Sequence, residues 1–235
     1  MVLLSALIIL LIGCKTEPPV PNFPYKPEVN VFALLILNNQ QKIVRVERTY
    51  KSTDYFPDDR GIADALVTIS TEQNTVRFEH RFKGIYYDAQ KQLQLQEGQA
   101  YHLQVVLNDG ATISADCVMP GKPKIESPTD RSIVKAYRFL DIEWLQAQFA
   151  YRYLVYVKDI LDEFSTFVYA DSTALTFYPF LFAPPDIYVI KVVATDQNYY
   201  DYIRSHPNRD PILHISNGQG VFGAVAYDEI VVFAR

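Results

Sequence analysis

The stretch VRFEHRF, Val76 to Phe82, alternates apolar and polar residues without a break, and AYHLQVVL, Ala100 to Leu107, repeats the pattern. Successive side chains of a strand point to opposite faces, so a period of two sets Val76, Phe78, His80 and Phe82 on one side and Arg77, Glu79 and Arg81 on the other. In the second stretch Tyr101, Leu103, Val105 and Leu107 share a face. Wound as a helix, either segment would scatter its apolar residues around the circumference, so half-buried strands are expected. From about Val29 onward this period governs the chain, and the fold class it dictates is all-β.

Asn108, Asp109 and Gly110 lie between two alternating runs and are residue types that accept positive φ, so Leu103 to Val118 reads as a hairpin. Beyond the turn Ile113, Ala115 and Cys117 share one face, where Cys117 serves as a small buried apolar residue. With GIADALVTIS as an earlier strand, residues 29–120 read as one β-sandwich domain. The proline-rich PGKPKIESP marks residues 121–128 as a linker on composition alone.

Residues 129–235 supply a second set of strands. FLDIEW puts Leu140, Ile142 and Trp144 on one face, YRYLVYV does so with Tyr151, Tyr153, Val155 and Val157, and a proline corner in FAPPDIYVIKVVATD leads into Tyr188, Ile190, Val192 and Ala194. This set resembles a fibronectin type III sandwich, one of the immunoglobulin-like architectures. The resemblance implies that Tyr188 is structural, bonding back to the corner backbone, and that Trp144 belongs to the core. The expected architecture is thus two tandem β-sandwiches. Between the last two strands lies a connection, residues 196–220, far longer than a hairpin loop, and loops of that length are usually functional or mobile.

Ahead of the first domain, Val2 to Ile12 is an apolar run of about eleven residues, where a membrane-spanning helix needs about 20. A strand rarely runs that far without a polar face, which leaves a first buried strand as the weaker of two readings. The run has the length of an export signal, although no Lys or Arg precedes it. It ends in Leu11, Ile12, Gly13 and Cys14, which resemble a bacterial lipobox. The resemblance implies cleavage after residue 13, lipidation of Cys14, and attachment to the membrane through acyl chains. Residues 14–28 would then form a stalk, since five prolines in the thirteen residues after Cys14 favour an extended chain.

The formal net charge of −5, with no run of Lys or Arg, argues against nucleic acid and against a polybasic membrane patch. No cofactor or metal is called for. His80, His102, His206 and His214 are scattered, with no H-E-x-x-H and no paired cysteines. Of the four, His80 is expected in the core or at its edge. Asp54, Asp58, Asp59 and Asp64 are oxygen donors of the kind Ca²⁺ prefers but lack a calcium-loop spacing, so they read as a solvated loop. GQGVFG has no helix after it and so is no dinucleotide loop; its glycines suit a turn or bulge entering a last strand. No G-x-S-x-G elbow occurs.

The stretch with the best claim to binding is DQNYYDYIRSHPNRDP. Tyr199, Tyr200 and Tyr202 with Arg204 and Arg209 combine rigid aromatic surface and planar cations, types enriched at binding hot spots. Such rings also stack on sugars. The competing reading has the tyrosines plugging the open end of the sandwich, ring buried and hydroxyl wet.

Lipobox, proline stalk, a first module ending in VMP, a second module, and a terminal SNGQGVFGA together resemble an uncharacterised Bacteroidota lipoprotein family, domain of unknown function 4249. The matching ending is Asn217, Gly218, Gly220, Val221, Phe222, Gly223 and Ala224, with one difference in spacing. Of these, Gly220, Phe222 and Gly223 are expected to be structural. The resemblance implies a non-catalytic envelope lipoprotein of the outer membrane, periplasmic or surface-exposed and associated with uptake machinery. Its expected partner is an outer-membrane protein or a carbohydrate or peptide ligand. A structural or adhesive spacer is the alternative, and a lipid-anchored hydrolase a weaker one.

Overall fold

Among the described residues, the first strand hydrogen-bonds to the last. In the computed structural model, which describes residues 28–50, 60–160, 165–178, 186–205 and 212–235, β1 (Val29–Ile36) runs parallel to β15 (Gln219–Ala234), in register from Asn30 opposite Gln219 to Ile36 opposite Val225. The expected signal peptide, Cys14, the stalk, Asp54, Asp58, Asp59 and Arg209 lie outside the described residues.

On its other edge β1 pairs with β2 (Ile43–Arg48), followed by β5 (Ile85–Tyr87), β4 (Thr75–Phe82), β3 (Leu66–Ser70), β6 (Ala100–Val106) and β7 (Thr112–Val118). The path doubles over through β4. Its first half pairs with β3, placing Val67 opposite Phe78 and Ser70 opposite Thr75, while its second half pairs with β5. Two layers result, and Val31, Ala33, Val44 and Val46 of one meet Ile69, Phe78, Leu103 and Ile113 of the other in a fully buried core. The hairpin of β6 and β7 has the expected register, with Val106 opposite Thr112 and Gly110 at φ +85°.

The second half has the expected sandwich. One layer is β8 (Lys124–Ser127), β10 (Leu140–Leu145) and β13 (Ala174–Phe177), with β10 central. Facing it are β12 (Ser165–Ala170), β11 (Arg152–Asp159), β14 (Asp186–Thr195) and β15, with β9 (Ile133–Val134) added in parallel beside the end of β15. Ile142 and Trp144 pack against Tyr153, Val155, Val157, Tyr188, Ile190, Val192 and Ala194, the inward sets read from the alternation. Tyr153 lies edge-on to Trp144, centroids 5.4 Å apart, and its hydroxyl accepts the Ala147 amide at 2.8 Å. Trp144 Nε1 is buried without a hydrogen-bond partner among the described residues. Tyr188 is buried as expected, and the corner before it lies outside the described residues.

Four details differ from the sequence reading. β15 serves both halves: Gln219 to Val225 line β1, Val225 to Ala234 line β14, and Phe222 and Ala224 belong to the first core. The segment 121–128 therefore does not separate two self-contained units, and within it Lys124–Ser127 is a strand, because the β10 edge supplies partners for its backbone. His80 and Phe82 are exposed, since the second half of β4 leaves the core layer to form a short ribbon with β5, turning at Lys83 and Gly84. Tyr151 precedes β11 and is exposed, although Tyr153, Val155 and Val157 point inward.

Candidate functional site

Residues 196–220, expected as a loop, contain α1 (Gln197–Ser205). Asp196 caps it: its Oδ1 accepts the Tyr199 amide at 3.0 Å, the bond a capping carboxylate makes to the third helical residue, and Arg204 stands in the last turn, where a cation suits the helix dipole. The Asn198 side-chain amide donates to the Phe222 carbonyl at 2.9 Å and the Asp116 carbonyl at 2.5 Å, tying the first turn to β15 and β7. Beyond the helix, Ser205 Oγ accepts the Ile212 amide at 2.8 Å, and His214 Nε2 lies 2.8 Å from Asp201 Oδ2.

The terminal glycine-rich motif makes this docking possible. Gly220 holds φ +102°, and a Cβ there would collide with the Val31 carbonyl oxygen of the parallel neighbour, so its bare backbone is what lets β15 close on β1. Asn217, at φ +59°, donates its side-chain amide to the Thr112 carbonyl at 3.1 Å. Phe222 fills the first core. Gly223 faces outward beneath α1 and leaves room for Asp196 and Tyr199. The structural roles expected of Gly220, Phe222 and Gly223 thus act at one place, the seam where β1, β15 and α1 meet.

Helix α1 lies over the outer face of the shared sheet. Tyr199 and Ile203 pack on Leu34 and Ile36 of β1, Val225 of β15, Val193 of β14, Leu154 and Tyr156 of β11 and Tyr169 of β12. The cluster crosses from one half to the other, so the helix braces them. Burial, with Tyr199 and Tyr169 nearby, pushes the Tyr156 phenol up to about 12, which keeps it neutral under the helix.

The three tyrosines proposed from sequence have three different surroundings. Tyr199 joins the brace. Tyr202 is half-buried, its ring centroid 6.4 Å from that of Phe32. Tyr200 is 3% exposed and centres a cluster the sequence reading did not assemble: its ring stands edge-on to Tyr151 at 5.7 Å and Tyr169 at 5.6 Å. Its hydroxyl accepts from Arg204 Nη1 at 3.0 Å and donates to Asp171 Oδ1 at 3.4 Å. Asp171 also binds Arg152 Nε at 3.0 Å, and the Arg152 guanidinium lies 4.9 Å from the Tyr151 ring centroid. Burial, ahead of the neighbouring charges, raises the Tyr200 phenol.

Tyr151, Asp171 and Arg204 are exposed, so the cluster presents an aromatic face, a carboxylate and two guanidiniums above a buried tyrosine. Tyr151, Arg152 and Asp171 were missed because the first two precede Asp171 by nineteen residues or more and all three lie far from Tyr200 in sequence. The signal was there: with YRYLVYV pairing STFVYA, Tyr153 falls opposite Ala170, which brings residues 151 and 152 beside 171. Such a surface can hold a partner through stacking and bidentate contacts. Among the described residues no group of three or more His, Cys, Asp or Glu could hold a metal ion, and no helix is long and apolar enough to cross a membrane.

No curated protein matches the chain. Solved structures similar to it include fibronectin(III)-like modules of Clostridium thermocellum CbhA, at 12% identity, TM-score 0.30, covering 88% of this chain and 94% of that one. A two-domain fibronectin type III segment of chicken tenascin matches at 9% identity, TM-score 0.28, covering 85% and 98%, and a cytokine receptor complex at 10%, TM-score 0.32, covering 86% and 95%. A family model described as "Domain of unknown function (DUF4249)" matches residues 16–229, and the chain belongs to that family.

Proposed function

We propose that this protein is a lipid-anchored module of the bacterial cell envelope that acts by binding, carries out no reaction of its own, and docks an outer-membrane protein partner linked to uptake. The observation that carries the reading is the exposed cluster of Tyr151, Arg152, Asp171 and Arg204 around buried Tyr200. Aromatic rings and arginines dominate binding hot spots, and the charges here are already paired, Arg152 with Asp171 and Arg204 with the Tyr200 hydroxyl, an arrangement suited to contact more than to proton transfer. The lipobox-like LIGC supports an anchor at Cys14, and the prolines after it would hold the domains off the bilayer.

The test is a photocrosslinking residue at position 151 in cells, with one at Lys135 on the second sandwich as comparison. A discrete adduct at 151, absent at 135 and lost in Arg152→Glu/Arg204→Glu, is expected. No adduct at 151 would favour the second reading, a rigid envelope spacer, which draws support from the sheet that runs unbroken through both halves.

A further inference from the structure

The connection between β5 and β6 reads DAQKQLQLQEGQ, and it forms one wall of a groove of about 640 Å³ on the first half of the molecule. Leu93 is buried and Leu95 packs against the same core, so the alternation turns Gln92, Gln94 and Gln96 outward together. In extended chain such alternate residues repeat at about 7 Å. Gln73 and Asn74, from the turn between β3 and β4, stand opposite, and Gln99 closes the end. Five of the chain's thirteen glutamines line this one groove.

This wall is fixed from below. Asp88, itself buried, accepts the Gln92 amide at 3.0 Å and the Leu93 amide at 2.8 Å. The hydroxyl of buried Tyr101 accepts the Gln96 amide at 2.8 Å and lies 3.0 Å from the Gln94 carbonyl and 2.9 Å from Gln99 Oε1. The segment is thus held at both ends by buried polar groups, although it belongs to no strand, and the side chains it presents are uncharged amides with two donors and one acceptor carbonyl each.

Gly98, at one end of the groove, packs against an aromatic ring that stands just beyond the lining residues. Phe149, from the second half, is 59% exposed at φ +60°, a conformation a bulky residue rarely adopts. Its ring edge rests on Gly98, where a Cβ would come within 2.7 Å. Glu97 beside it is turned to the junction, its Oε1 accepting the Lys122 amide at 3.0 Å. Among the described residues no Lys or Arg lines the groove to meet an anion, and Glu72 and Glu97 oppose one.

We infer that this groove binds a neutral oligosaccharide, whose hydroxyls bond the carboxamides of Gln73, Gln92, Gln94 and Gln96 while one sugar ring stacks on Phe149. Amides suit hydroxyls because each can donate and accept without a charge to desolvate. The exposed ring supplies the apolar face a pyranose needs. The site is independent of the α1 surface, so either can fail alone.

Titration calorimetry of the full-length protein in a zwitterionic detergent, free of sugar head groups, tests this with cellohexaose, xylohexaose, laminarihexaose and maltohexaose, and with oligogalacturonate as the charged counterpart. Saturable binding of at least one neutral hexasaccharide is expected, weakened about tenfold or more by Phe149→Ala and by Gln94→Ala/Gln96→Ala, and restored by Phe149→Tyr. Arg152→Glu/Arg204→Glu should bind as wild type. Failure of all four to bind up to roughly 5 mM, tighter binding of oligogalacturonate, or unchanged affinity in folded Phe149→Ala and Gln94→Ala/Gln96→Ala overturns the proposal.

Discussion

The Cα of Gly223 on β15 lies against the first turn of α1, so close that a Cβ there would be 2.8 Å from Tyr199 Cβ and 3.1 Å from Asp196 Oδ1. Gly223→Ala should therefore lift the helix or distort its cap, destabilising the protein by about 1–3 kcal/mol in denaturant unfolding. Gly110→Ala makes a useful contrast: open space surrounds that position, and only its φ of +85° resists, so about 1 kcal/mol is expected.

Asp196 is 5% exposed, and its Oδ2 has no hydrogen-bond partner among the described residues. Burial pushes its carboxyl up to about 7, against the opposing pull of the Tyr199 amide. A carboxyl raised on folding binds its proton more tightly in the folded state, so its contribution is full below the unfolded value near 4 and is lost as pH rises to about 7. Asp196→Asn keeps a capping oxygen and removes the charge. Its stability relative to wild type should rise between pH 4 and 7 by on the order of 1–4 kcal/mol and then level off. Parallel pH dependences in the two proteins would refute this role.

The local strands were legible because each needs only its own alternation: the β6–β7 hairpin, the inward faces of β10, β11 and β14, and buried Cys117 all follow from a period of two. What escaped depends on partners far along the chain. Nothing in VNVFALLI names QGVFGAV as its parallel neighbour nearly two hundred residues away. Helix α1 was not foreseen, because the length of the connection alone led to a loop; Asp196 in the cap position and Arg204 in the last turn are the local signals that would have found it. His80 shows the converse failure. The alternation continues through it, yet the core layer ends at Phe78 and the strand runs on into solvent.

The Tyr101 hydroxyl holds the glutamine segment from beneath the groove. Tyr101→Phe removes the acceptor of the part-buried Gln96 amide, a loss of about 0.5–1.5 kcal/mol. Hydrogen exchange should show the effect concentrated in residues 92–99, with the β6–β7 hairpin protected as before.

Cys117 is buried on β7, and its burial, then the nearby Asp196 and Asp116, raise its thiol well above the usual range. A thiolate is the reactive form, so maleimide labelling of Cys117 in the native protein should be slow at pH 8 and become rapid on unfolding. Labelling as fast as in the unfolded chain would contradict the placement.

In cells given labelled palmitate, Cys14→Ser should lose both the label and sedimentation with membranes. Retention of both would remove the anchor from the proposal.

Because Gln219 to Val225 form the neighbour of β1, the amino-terminal sheet lacks a strand while the rest of the chain is being made. At about 5–20 residues per second, β1 waits roughly ten to forty seconds with one edge open, and such edges recruit the wrong partners. A chaperone that shields strand edges during synthesis would matter more for this protein than for a string of independent beads. A premature stop just before Gln219 would leave both apolar interiors open, so β15 is as essential to the first sandwich as to the second.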